Sequence, residues 1–176
     1  MHLDGTHVIQ ASPKVIWDML MDADVLARVT PGVSKLEATG EGTYNAISNV
    51  KIGPVSGSFK GSLEVVEPDP PNKFTLLIKQ KSRIGNVSAK GSIELHPKEK
   101  NETEVVFAGN AKLSGTLART GQRVIGGVAK TLTEQFFSDL EKEIYEKHPP
   151  SSAPIVSEST GIFARIVAWF NRLFGG

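Results

Sequence analysis

Between residues 55 and 113 the chain repeats every second position, and this period narrows its architecture more than any other feature. In Val55-Ser56-Gly57-Ser58-Phe59-Lys60-Gly61-Ser62-Leu63-Glu64-Val65 every odd position is apolar or glycine and every even one is polar. Successive strand side chains point to opposite faces, so such a run is a strand with one face buried. Phe74, Leu76 and Ile78 continue the pattern, as do Val87, Ala89, Gly91, Ile93 and Leu95, and then Val105, Phe107, Gly109, Ala111 and Leu113. Turn-forming residues separate the runs at Glu67–Asn72, Gly85-Asn86 and Pro97–Asn101. Two further strands, 33–39 and 43–52, precede them around Gly40-Glu41-Gly42.

A sheet that is apolar on one side must be covered on that side. The spacing of Val124, Ile125, Val128, Ala129, Leu132, Phe136, Leu140 and Ile144 predicts one long helix, Gly115 to Lys147, with a single buried stripe. Upstream, a strand over His2–Gln10 is followed by Ser12-Pro13, an N-cap with proline at the first helical position. That start predicts a helix over Pro13–Met21, and a second short one runs from Asp24 to Val29 before Thr30-Pro31-Gly32. The order predicts an α+β fold, a curved antiparallel sheet wrapped around a long C-terminal helix.

The inward strand positions mix large apolar residues with Gly57, Gly61, Ala89, Gly91, Gly109 and Ala111. Two readings fit. The small residues permit sheet curvature or close helix approach, or they leave a hydrophobic pocket between sheet and helix. In the second reading Phe59, Leu63, Phe74, Leu76, Ile78, Val87 and Phe107 line the pocket from the sheet, and Val124, Val128 and Leu132 from the helix. Gln80 and Ser82 supply polar groups toward one end.

Little in the chain suggests catalysis. There is no cysteine, which excludes thiol nucleophiles and cysteine-based metal sites. His2, His7, His96 and His148 lack ligand spacing, and no serine stands in a nucleophile-elbow context. Glu141, Glu143 and Glu146 read as a solvated, lysine-laced helix face. Gly121, Gly126 and Gly127 lack a phosphate-loop lysine, and read as a close approach of the helix start to the sheet. Arg119 and Arg123 either face water or steer a polar ligand head. With 20 Lys+Arg against 19 Asp+Glu the formal charge is +1, which argues against a nucleic-acid partner.

The last stretch is different in kind. Residues 148–160, rich in proline and serine, predict an extended linker after a domain spanning 1–147. Residues 161–176 predict an amphipathic helix. Ile162, Phe163, Ile166, Val167, Trp169, Phe170, Leu173 and Phe174 fill one arc at 100° per residue, with Arg165 and Arg172 beside it. Such a helix is roughly 20 Å long, too short for a ~30 Å hydrocarbon core but suited to lying on a membrane surface or in a partner's groove. The N-terminus carries no basic patch followed by an apolar run, so no secretory signal is expected.

Several segments carry a family resemblance: Gly53-Pro54-Val55-Ser56-Gly57-Ser58-Phe59-Lys60-Gly61, Asp69-Pro70-Pro71, and Ala111 through Arg123 with Ala129-Lys130 and Gln135-Phe136-Phe137. Together with Pro31-Gly32 they make residues 1–145 similar to the START-like (SRPBCC) superfamily, and more narrowly to the carbon monoxide dehydrogenase G-subunit family. The chain departs from that family where Val29 and Val33 replace flanking cysteines, and where Gln80–Asn86 replaces a glycine-rich turn. The resemblance implies a helix-grip fold and a non-enzymatic accessory that recruits a molybdenum hydroxylase-type dehydrogenase to the membrane. It also implies carriage of a hydrophobic small molecule, a respiratory quinone or lipid, with no covalently bound cofactor or metal. The expected location is cytoplasmic, peripheral on the inner face of the cell membrane. Its alternatives are a general lipid carrier and a START-like cyclase or aromatase.

Overall fold

The computed structural model describes residues 1–149. Almost all of the predicted linker and the whole amphipathic segment, Ile162 through Phe174 included, lie outside the described residues. The elements run β1 (His2–Ile9), α1 (Pro13–Met21), α2 (Ala23–Val29), β2 (Val33–Gly40), β3 (Thr43–Ile52), β4 (Val55–Asp69), β5 (Lys73–Ser82), β6 (Gly85–Lys98), β7 (Glu102–Leu113), α3 (Gly115–Arg119) and α4 (Gln122–Lys147). All seven strands form one antiparallel sheet in the order β1-β7-β6-β5-β4-β3-β2. Strands β2 to β7 are a meander of neighbours, and β1 closes the far edge on β7.

Local chemistry explains the helix starts. The Ser12 hydroxyl accepts from the Val15 amide at 3.4 Å, with Pro13 opening α1. Asp22 Oδ1 caps α2 by accepting from the Asp24 and Val25 amides at 2.9 and 3.1 Å. Two expectations need correction. The helix predicted over Gly115–Lys147 is two helices, because Gly121 has φ 94°, a conformation that ends one turn and starts the next. The turn predicted over Glu67–Asn72 begins late. β4 continues to Asp69 through an irregularity between Val66 and Asp69, where Glu67 takes φ 52°.

The core is in two parts. One gathers Ile9, Ile16, Trp17, Val25, Val29, Phe74, Leu95, Val105, Leu140 and Ile144 where α1, α2 and the C-terminal half of α4 meet the sheet. Trp17 stands edge-on to Phe74 there, with ring centroids 5.4 Å apart. Thr103, fully buried, donates from its hydroxyl to the Ala11 carbonyl at 2.7 Å and fastens β7 to the turn before α1. The other part gathers Val55, Phe59, Leu117, Ile125 and Val128 where α3 and the start of α4 meet the other end.

Candidate functional site: a hollow between two cores

The structure distributes the predicted lining residues along the whole inner face. Phe74 is buried in the first core, with Leu76 and Phe107 against it. Phe59 and Val128 are buried in the second, with Val87 and Leu132 against it. Leu63 and Ile78 belong to neither. Val124 departs from the expectation: it is 40% exposed and packs in neither core. It lies 100° around the helix from Ile125, which takes the inward position at this end.

The register identifies what lies between the cores. Tyr44, Leu63, Ile78, Ala89 and Ala111 form one row across β3 to β7, and Leu76, Gly91, Gly109 and Leu3 form the next. These side chains point to the concave face, yet apart from Tyr44 all are only half-buried. The glycines show why. A Cβ on Gly61 would sit 1.8 Å from the Lys79 carbonyl oxygen, and one on Gly109 would sit 2.9 Å from that of Lys90. Both are therefore demanded by strand-to-strand approach in a coiled sheet. At Gly91 only two β7 backbone atoms would lie within 4 Å of a Cβ, and no atom of α4. The helix stands off the floor here, and the two rows form the bed of an apolar hollow. Gly126 and Gly127 likewise meet nothing within 4 Å, so the expected close approach of the helix start does not occur there.

The polar groups fall differently from expectation. Ser82 is occupied in the β5–β6 turn: it donates to the Gly85 carbonyl at 2.8 Å and accepts from the Ile84 amide at 3.2 Å. Gln80 faces the hollow, and its Oε1 accepts from the Ser48 hydroxyl at 3.4 Å. Ser48 is on β3 and Gln80 on β5; the residue opposite Gln80 on the intervening β4 is Gly61, whose missing side chain lets the two meet.

A cleft of about 560 Å³ opens between β1 and α4, lined by Leu3, His7, Phe107, Gly126, Phe137 and Glu141 among others. Leu3 pairs with Gly109, so the cleft leads directly onto the glycine row of the floor. At its side the His7 ring stacks on Phe137 with centroids 4.4 Å apart, and its Nε2 meets Glu141 Oε1 at 2.6 Å. This pairing was not expected from the sequence. The signal was there in the alternation of Leu3, Gly5, His7 and Ile9, which puts an imidazole on the inner face of β1. Glu143, also read as solvated, accepts from Arg28 Nε at 2.7 Å and Nη2 at 3.0 Å. Those hydrogen bonds, reinforced by charge, hold its carboxyl below the usual carboxylate range against the effect of desolvation. Arg119 and Arg123 are both exposed.

No group of three metal-ligating side chains stands together among the described residues. None of the helices they form is long and apolar enough to cross a membrane. A shallow depression of about 640 Å³ at Pro97–Glu102 lies on the β6–β7 turn, away from the hollow.

The fold recurs in solved structures. A conserved protein from Geobacillus kaustophilus is 32% identical with a TM-score of 0.81, over 84% of this chain and 97% of that one. A START superfamily protein from Mycobacterium smegmatis has a TM-score of 0.65 at 13% identity, over 83% of this chain and 98% of that one. The Zhui aromatase/cyclase from a Streptomyces species has a TM-score of 0.66 at 12% identity, over 86% and 98%. At such identities the last two speak for the fold alone. No curated protein sequence matches the chain. Residues 5–145 match the family described as the G-subunit of carbon monoxide dehydrogenase (CoxG), across both cores and the hollow between them. The chain belongs to the carbon monoxide dehydrogenase G-subunit family.

Proposed function

We propose that this protein is a non-catalytic accessory that carries a hydrophobic molecule, a respiratory quinone or lipid, and brings a molybdenum hydroxylase-type dehydrogenase to the membrane. The observation that carries the reading is the gap between the two cores. Natural ligand sites are mostly apolar with a few placed polar groups, and the rows through Leu63 and Leu76, with Gln80 beside them, have that composition. The cleft between β1 and α4 supplies a way in. Family membership supports the accessory role and the dehydrogenase partner. The apolar arc of residues 161–176 supports docking on the inner face of the membrane.

The Streptomyces enzyme raises a cyclase as the rival reading. Turnover of that kind needs acid and base groups converging on the substrate. The two floor rows carry no carboxylate, lysine or histidine, and the His7–Glu141 pair sits at the cleft's side. Solvent extraction of the purified full-length protein followed by mass spectrometry tests carriage directly. A stoichiometric quinone or lipid is expected from wild type, and its loss from Gly91→Leu, which fills the bed where a Cβ has room. Extracts from the two proteins that do not differ would overturn the reading.

A further inference from the structure

The sheet floor of the hollow is uncharged, whereas Asp4, Lys130, Glu134 and Glu141 line the cleft beside it. Across β3 to β7 the inward positions of the floor, from Tyr44 and Ser48 through Leu63 and Gln80 to Ala89 and Gly91, carry no acidic or basic side chain. No buried side-chain polar atom among the described residues lacks a hydrogen-bond partner, so a polar group without one here is reached by solvent. Ser48, 6% exposed, donates its proton to Gln80 Oε1 and so uses the acceptor end of that amide. The two N–H donors of Gln80 have no partner among the described residues. Tyr44 stands two rows along β3 from Ser48 on the same face, 6% exposed, and its hydroxyl also has no hydrogen-bond partner among the described residues.

Resting on the carriage reading, we propose that Gln80, oriented by Ser48 and seconded by Tyr44, is a donor site that anchors a neutral carbonyl oxygen of the ligand. The chemistry follows from the inventory of the site. The Gln80 N–H groups can only donate and the Tyr44 hydroxyl can donate as well as accept, so a ligand acceptor suits both. Lys130 of α4 lines the cleft, but among three carboxylates, Asp4, Glu134 and Glu141. No lysine or arginine faces the donors from the sheet, so a carboxylate or phosphate there would be stripped of water without a counter-charge from the floor. A ketone, a quinone or an ester carbonyl on an apolar body meets both conditions. Gly61, opposite Gln80 on β4, places no side chain between Gln80 and β3.

Three ligands of matched length separate the possibilities: methyl undecyl ketone, dodecanoate and dodecane, titrated calorimetrically into the full-length protein. The ketone is expected to bind tightest. Gln80→Leu should weaken the ketone roughly three- to tenfold, the value of one net hydrogen bond, and leave dodecane unchanged. Tyr44→Phe, which keeps the ring, should weaken the ketone by a smaller factor in the same selective way. If Gln80→Leu and Tyr44→Phe affect all three ligands alike or none, while Gly91→Leu abolishes binding, the anchor is overturned and the hollow stands. Preference of wild type for dodecanoate over the ketone likewise overturns the anchor. If none of the three binds, or Gly91→Leu leaves binding intact, the carriage reading falls and the anchor with it.

Discussion

At the scale of single residues, glycine decides more here than any large side chain. Gly61 has the Lys79 carbonyl oxygen 1.8 Å from where its Cβ would be, and the neighbour is backbone that cannot rotate away. Gly61→Ala is therefore expected to cost about 1–3 kcal/mol, the usual range for forced overpacking, read as a lowered urea midpoint with an unchanged slope. A midpoint equal to wild type would mean that the sheet relaxes without cost at this point. The alternation that marks Gly61, Gly91 and Gly109 as inward is plain in the sequence. What distinguishes them is not. Whether a missing side chain serves strand approach, as at Gly61 and Gly109, or leaves space, as at Gly91, depends on atoms of other strands and of α4. Gln80 was legible as an inward position for the same reason of period, while Ser82 was not legible as a turn-former, because its partner Gly85 becomes available only when β5 and β6 pair.

At the scale of elements, α4 is held to the short helices by charge as well as by packing. Arg28 of α2 meets Glu143 of α4 through two hydrogen bonds, and the carboxyl's folded pKa is below its unfolded one. The stabilisation from this pair is therefore complete above the unfolded carboxylate range and is lost as pH falls through the folded value. The stability difference between wild type and Arg28→Leu should be largest near neutral pH and shrink in acid, followed by urea unfolding at a series of pH values. A difference that stays constant with pH would assign Arg28 a packing role instead. The helices themselves were readable from Ser12-Pro13 and from the stripe of Ile125, Val128, Leu132, Leu140 and Ile144. The break at Gly121 was not, because a glycine is tolerated inside a helix and only the backbone angle reveals the interruption. The partners of Glu141 and Glu143 were hidden too: each lies more than a hundred positions away in the chain, on β1 and α2.

At the scale of the whole molecule, residues 1–149 contain both cores and every described hydrogen bond that ties them. A fragment of residues 1–150, which holds both cores, is expected to unfold in a cooperative thermal transition. The apolar arc from Ile162 to Phe174 is expected to show its effect in binding. Vesicles containing anionic lipid are expected to co-sediment the full chain and not the fragment, with a modest gain from Arg165 and Arg172. Equal sedimentation of the two would remove the membrane from the function, and detergent-free copurification with a dehydrogenase would then point to a protein groove.

The split interior has a thermodynamic consequence for a carrier. With Leu63, Ile78, Ala89 and Ala111 half-buried between two dry ends, an apolar molecule bound as proposed would add contacts that the protein alone does not make. Such binding would tighten the scaffold by mass action, and release would be easiest where the ligand finds an equally oily refuge. A bilayer is such a refuge, so proximity to lipid would set the direction of delivery without any stroke of the protein itself.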